Sequence, residues 1–327
     1  MTVPFVHLRV HSEYSLVDGL VRVEDLPKQC GKRGMPAVAV TDLANLFALV
    51  KFYNSALKAG IKPLAGADLW LAARDPSQPP SILPVLVANE AGYRNLIELV
   101  SRAWTGNQSL GRAVVKREWL HELHEGLILL SGGRDGEIGQ ALVAGQEALA
   151  ADLLAEWKGL CGDRFYLEIA RTGREHEEDC LHATVALAAR TGTPVVATND
   201  VRFVEPEDFE AHEVRVCIHD GRTLEDPRRP RRYTAGQYLR TPQEMQELFA
   251  DIPEALANSV AIARRCNLVL RLGKSYLPDY PVPAGMTLDE YFIAASREGL
   301  EQRLATLLDP AAPDYAARRQ VYFDRLD

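Results

Sequence analysis

The first residues able to do chemistry stand at alternate positions of a short run, His7-Leu8-Arg9-Val10-His11. Side chains of an extended strand alternate between faces, so this spacing predicts that His7, Arg9 and His11 share one face while Val6, Leu8 and Val10 take the other. Asp18, Asp42, Asp68 and Asp200 each follow an apolar run. Imidazoles and carboxylates gathered at one rim are the raw material of a metal site; the same triplet on a solvated strand face would carry no chemistry. No tight ligand spacing such as HExxH occurs, and neither a GxSxG turn nor a Walker loop is found. Ser131-Gly132-Gly133 is too short to cradle a phosphate by itself. His121 and His124 share a helical face by their spacing of three. His176, His182, His212 and His219 stand in charged or helical surroundings that predict solvated or cap-like roles. A loop-like stretch carries Arg222, Arg228, Arg229, Arg231 and Arg232, a candidate contact for nucleic acid or a partner, offset by Glu225 and Asp226, so a solvated loop is the plainer reading.

Short apolar runs of strand length recur at 5–11, 37–41, 64–70, 83–88, 127–131, 165–169 and 195–198. Near-continuous apolarity is the pattern of a parallel sheet buried on both faces. Between them, helical patterns occupy 23–32, 46–59, 91–104, 137–160, 175–190 and 207–218, and only the link between the third and fourth strands is too short for a helix. Seven strands with mostly helical crossovers predict an α/β barrel or a doubly wound sheet. The barrel is favoured because Thr41-Asp42, Asp68, Ser131 and Asn199-Asp200 gather polar groups at strand C-terminal ends, the rim where barrels do chemistry. After residue 220 helices dominate. Thr241-Pro242-Gln243-Glu244 reads as a helix start, 277–285 as a linker and 286–307 as an amphipathic helix. Residues 315–327 run on in helical style without a stop signal, as a chain cut inside a larger protein would.

The 327 residues are 47% hydrophobic and 25% charged, a globular balance. A net charge of −8 excludes a global basic field, so any nucleic-acid contact must be local. Apolar stretches fall well short of the ~18 residues of a membrane span, and no signal-peptide core opens the chain, which predicts a cytoplasmic protein without membrane contact. Five dispersed cysteines lacking any CxxC read as reduced thiols.

Five segments, taken in order, carry a family resemblance: 5–19 (Phe-Val-His-Leu-Arg-Val-His-Ser-Glu-Tyr-Ser-Leu-Val-Asp-Gly), 59–68 (Ala-Gly-Ile-Lys-Pro-Leu-Ala-Gly-Ala-Asp), 89–96, 195–203 (Val-Val-Ala-Thr-Asn-Asp-Val-Arg-Phe) and 248–258. Together they resemble the N-terminal portion of the bacterial DNA polymerase III α-subunit family. Residues 1–280 resemble its PHP (polymerase and histidinol phosphatase) domain. The resemblance implies a distorted (β/α)7 barrel over about 1–220, a helical extension over about 221–280, and a linker with the truncated start of the polymerase portion, a short mainly helical segment, over 281–327.

The PHP family holds a cluster of divalent metals with up to nine ligands. Carried over one at a time, the resemblance puts those positions at Arg9, His11, Asp18, Leu43, Asp68, Ile82, Gly133, Asp200 and Arg202. His11, Asp18 and Asp200 keep the family's residue, Asp68 stands for a Glu, and the other five are replaced. Leu, Ile and Gly offer no side-chain donor, while Arg9 and Arg202 bring permanent cations to where a cation would bind. The substitutions imply a metal site converted into salt bridges among Arg9, Arg202, Asp18, Asp68 and Asp200. They imply neither a metal nor a catalytic residue in this stretch. The resemblance further implies the N-terminal part of a replicative DNA polymerase whose Mg²⁺-holding carboxylates lie beyond residue 327. Its barrel would be a silent scaffold docking a proofreading exonuclease subunit, with other replicase subunits and primer-template DNA met downstream. The alternative is a metal-dependent phosphoesterase or 3′–5′ exonuclease active in the barrel.

Overall fold

The computed structural model describes residues 5–109, 111–275 and 277–327. Among the described residues there are eight strands: β1 (Ala37–Val40), β2 (Lys62–Leu71), β3 (Ser81–Val87), β4 (Gln108–Ser109), β5 (Arg112–Val115), β6 (Leu127–Leu130), β7 (Phe165–Ala170) and β8 (Val195–Thr198). β1 runs parallel to β2, β6 to β7 and β7 to β8. Residues 5–11 complete the ring. On one side Ala39 N–H donates to His7 O and Thr41 N–H to Val10 O, both at 2.9 Å; on the other Val201 N–H donates to Arg9 O at 3.1 Å and His11 N–H to Val201 O at 2.9 Å. The opening segment therefore seals β1 to β8, and the fold is a distorted (β/α)7 barrel whose staves are the runs legible in the sequence.

One stave departs from the parallel expectation. β3 is antiparallel to both β2 and β6, because residues 72–80 contain no helix to carry the chain back across the sheet. The start of β3 consequently lies at the rim where the parallel strands end, with Ile82 paired to Trp70 and Pro84 to Asp68. The hairpin β4–β5, which joins the end of β2 through Trp70 and Leu71, was not legible, since strands this short carry no periodicity. The helical pattern over 137–160 is two helices, Glu137–Val143 and Glu147–Cys161, parted where Gly145 takes a φ of 71° that ends a helix cheaply only at glycine.

One apolar cluster draws a residue from every stave: Leu8, Ala39, Leu64, Leu86, Ile128, Tyr166 and Val196. It fills the barrel below the rim. A second, with Val10, Val38 and Val40, packs the outside of the first staves against Leu26, Cys30, Phe52 and Ala56 of helices Leu26–Lys32 and Leu49–Lys58. The helical extension is bolted to the barrel wall. Asn258 Nδ2 donates to Val195 O at 2.7 Å and Val6 N–H donates to Ser259 Oγ at 3.1 Å. Helix Pro242–Leu248 starts with a reciprocal cap in which Glu244 N–H donates to Thr241 Oγ1 and Thr241 N–H donates to Glu244 Oε2.

The chain separates into two compact units, the first ending at Val269 and the second beginning at Leu270. The second unit contains helices Leu288–Leu307, capped by Thr287 and Glu290, and Tyr315–Leu326. Arg297 pairs with Asp327 at 2.7 Å and Arg319 with Glu301. All five cysteines are buried free thiols. Among the described residues, no helix is long and apolar enough to cross a membrane.

Candidate functional site

The rim opens on a cavity of about 720 Å³. Three residues of the opening segment were expected to face it together, but the structure separates them. The backbone acceptors offered to β1 are His7 O and Val10 O, three residues apart, while their donors Ala39 and Thr41 are two apart. One extra residue is thus inserted, a bulge that breaks strict alternation. Arg9 and His11 reach the cavity. His7 turns away, its Nε2–H donating to Arg240 O at 2.8 Å and its ring edge-on to Phe5.

His7 is fully buried, and desolvation brings its pKa down to about 4 against the hydrogen bond to Arg240 that favours the charged form. A folded-state pKa below the unfolded value near 6.5 means that the unfolded chain binds the proton first. Stability is then lost as pH falls from 6.5 toward 4, by up to about 3 kcal/mol. Urea unfolding of wild type and His7→Asn across this window should show that slope in wild type and a flatter one in the variant. Parallel curves would refute the assignment.

Arg9 and His11 stand at the centre of a buried charge cluster. Arg9 Nε lies 2.7 Å from Asp68 Oδ2 and 3.3 Å from Asp200 Oδ1, and Arg9 Nη1 lies 3.4 Å from Glu168 Oε1. Arg202 Nη1 reaches Asp18 Oδ2 at 2.5 Å and Arg202 Nη2 reaches Asp200 Oδ1 at 2.6 Å. His11 bridges them, with Nδ1 3.0 Å from Asp18 Oδ1 and Nε2 2.9 Å from Asp68 Oδ2. Burial and the Arg202 charge both oppose protonation of His11, yet Asp18 and Asp68 outweigh them and raise its pKa to about 9. Burial would lift all three aspartates; instead Arg202 and His11 hold Asp18, Arg9 and His11 hold Asp68, and Arg202 and Arg9 hold Asp200 below the usual carboxylate range. Asp200 takes a φ of 43°, a conformation costly for a non-glycine residue and characteristic of functional sites.

Further members complete the cluster. Glu168, buried on β7, accepts from Thr198 Oγ1 at 2.5 Å, and burial raises its pKa despite Arg9. Arg174 Nη1 pairs with Asp135 at 2.7 Å and approaches Asp200 at 3.7 Å. Tyr233 donates its hydroxyl to Asp18 Oδ2 at 2.9 Å, and Gln237 Nε2 donates to Asp200 Oδ2 at 2.8 Å. Arg174, Tyr233 and Gln237 come from loops far along the chain. A positional signal existed only for Glu168, an acid inside an otherwise apolar strand.

The remaining candidates fall into place around the cluster. Leu43 and Ile82 line the cavity and offer no donor. Gly133 has a φ of 53° and is not part of the cavity wall, which its neighbours Arg134 and Asp135 join. Asp42 stays outside the charge cluster, accepting from Ser12 N–H at 2.6 Å, Ser12 Oγ at 2.7 Å and Ser15 Oγ at 2.8 Å, so its role is to fix the loop that carries Asp18. His212 is not solvated: it is fully buried, donates from Nε2 to Asp18 O at 3.0 Å and packs against Phe203, Phe209 and Tyr233. In the arginine-rich loop, Arg222 and Arg228 turn to Asp226, Arg229 to Glu213 and Arg232 to Asp220, while Arg231 lines the cavity.

His11, Asp68 and Asp200 present donor atoms within 4.8 Å of one another, a spacing a metal ion could use. The same carboxylates are engaged by Arg9 and Arg202. A divalent ion placed among them would meet two guanidinium charges that cannot be titrated away, so the residues present do not fit one.

Residues 7–172 match the PHP domain family, and the chain belongs to it. Over its whole length the chain is 58% identical to DNA polymerase III subunit alpha of Pseudomonas aeruginosa, and over 99% of its length it is 50% identical to the subunit of the same name from Escherichia coli K12. It spans 28% of the length of these relatives. A solved amidohydrolase from Chromobacterium violaceum aligns with 64% of this chain and 96% of its own at 13% identity and a TM-score of 0.43.

Proposed function

We propose that this chain is the PHP-bearing portion of a cytoplasmic replicative DNA polymerase, and that its barrel is a catalytically silent scaffold in which ion pairs stand where the family's metals would be held. The observation that carries this reading is the placement of Arg9 and Arg202 between His11, Asp18, Asp68 and Asp200, with every distance short enough for charge-assisted hydrogen bonds or direct ion pairing. The polymerase identity rests on the similarity to subunits named DNA polymerase III alpha. Nucleotidyl transfer with Mg²⁺, primer-template DNA and other replicase subunits belong to the longer protein. A barrel that has exchanged its metals for ion pairs yet keeps all seven staves serves through its surface, and we assign that surface to docking a separate proofreading exonuclease subunit. Calorimetric titration of the chain with its cognate exonuclease subunit tests the docking: saturable binding below tens of micromolar is expected, and none with both partners folded would remove its support. Metal-dependent hydrolysis of a phosphoester by the wild-type chain, abolished by His11→Ala, would revive the phosphoesterase alternative.

A further inference from the structure

We infer that the exonuclease subunit, on the docking reading above, grips one sector of the rim with an apolar side chain flanked by carboxylates, and that Leu16, Phe47 and Ile218 form the receiving surface. These three large apolar side chains are 63%, 63% and 76% exposed. Isolated exposed leucines need no explanation, but these are held out by built structure. Leu16 adopts a φ of 61° and Ala44, at the base of the loop bearing Phe47, a φ of 51°; both are strained conformations for residues with a side chain.

The strain is fixed by neighbours. Asn45 Nδ2 donates to Tyr14 O at 3.0 Å, Leu43 N–H donates to Ser15 Oγ at 3.2 Å, and Asn45 Oδ1 accepts from Phe47 N–H at 3.0 Å. Trp104 Nε1 donates to Ala44 O at 2.7 Å. On the other flank, Arg215 Nε donates to Leu16 O at 3.0 Å and Arg215 Nη2 to Glu13 O at 2.9 Å. This ties the Leu16 loop to helix Phe209–Asp220, the helix of Ile218. The surface is therefore preorganised, and ordering it costs a partner little entropy.

The chemistry of the occupant follows from what adjoins the patch. Val17, Leu43 and His219, chain neighbours of Leu16, Ala44 and Ile218, form part of the cavity wall. That wall carries seven arginines against four carboxylates, in a chain whose net charge is −8. Arg9 and Arg202 are spent on buried acids and Arg174 on Asp135 and the buried Asp200, and Arg231 on the wall is exposed, with no ion pair or hydrogen bond among the described residues. An apolar anchor on the patch with acidic neighbours directed to Arg231 satisfies both halves, a desolvated centre beside a charged rim.

The test is calorimetric titration of the full 327-residue chain with the cognate exonuclease subunit. The Leu16→Asp/Phe47→Asp variant is expected to bind at least 30-fold more weakly than wild type, and Phe292→Asp, at an exposed position on helix Leu288–Leu307, within 3-fold of it. Leu16→Gly removes one side chain of the receiving surface while relieving the strained φ, so it should weaken binding with an unchanged or raised melting temperature, which a folding defect could not do. Arg231→Glu should weaken binding several-fold at low salt and much less at 0.5 M. Wild-type binding with Leu16→Gly and the double variant within 3-fold of it would overturn this surface and leave docking intact; absence of wild-type binding would overturn the docking itself.

Discussion

Replacing Arg202 with methionine is expected to destabilise the first unit by about 3 kcal/mol, more than any exposed ion pair of this chain could cost. The side chain is 6% exposed and serves Asp18 and Asp200 together. Removing one partner of a buried pair leaves the other as an uncompensated charge, for which about 3 to 5 kcal/mol is typical. The lower figure applies because Asp200 keeps Arg9, with Arg174 nearby, and Asp18 keeps His11 and Tyr233. The decisive comparison is the double variant Asp18→Asn/Arg202→Met. If the penalty is the stranded carboxylate rather than lost packing, removing its charge restores part of the stability, and the double variant melts above Arg202→Met. Guanidinium unfolding of wild type, Asp18→Asn, Arg202→Met and the double variant measures every step. A double variant at least as unstable as the sum of the single changes would show that the cluster is not held by these charges.

Restoring donors should convert the mouth back into a metal site. In Arg9→His/Leu43→His/Arg202→His, three imidazoles join His11, Asp18, Asp68 and Asp200. Arg9 and Arg202 no longer oppose a cation, and Leu43, already on the cavity wall, gains a ligand. We expect the variant, purified without chelator, to carry about one or more equivalents of Zn²⁺ or Mn²⁺ by elemental analysis, and wild type less than about a tenth of that. Because metal binds the folded form, a hundredfold excess over its dissociation constant should stabilise the variant by about 2.7 kcal/mol and leave wild type unmoved. The stabilisation should fade at acid pH as imidazoles take protons in place of the metal. Equal metal in both proteins would overturn the reading of Arg9 and Arg202 as replacements for ligands. A folded variant that stays metal-free would show that the mouth has lost the geometry as well as the donors.

The staves and their order were written in the chain as runs of apolar residues, because each strand is buried on both faces and needs no partner to reveal it. The absence of a helix between the third and fourth runs was equally local, although its consequence, the reversal of β3 that puts Ile82 on the rim, was drawn only by pairing. The cap at Thr241 and the break of the arginine-rich loop followed from side chains a few residues apart. The identities of Arg9, His11, Asp18, Asp68, Asp200 and Arg202 came from motif resemblance, which names positions but not distances. Tertiary structure alone decided that a one-residue bulge sends His7 away from Arg9 and His11. It also decided that Asp42 fixes a loop instead of joining the acids, and that Glu168, Arg174, Tyr233 and Gln237 complete the cluster. The physical reason is that buried charges are satisfied by whatever donors and acceptors the folded chain brings within about 3 Å. Here these come from residues 9 to 237, a separation over which no periodicity or spacing in the sequence carries information.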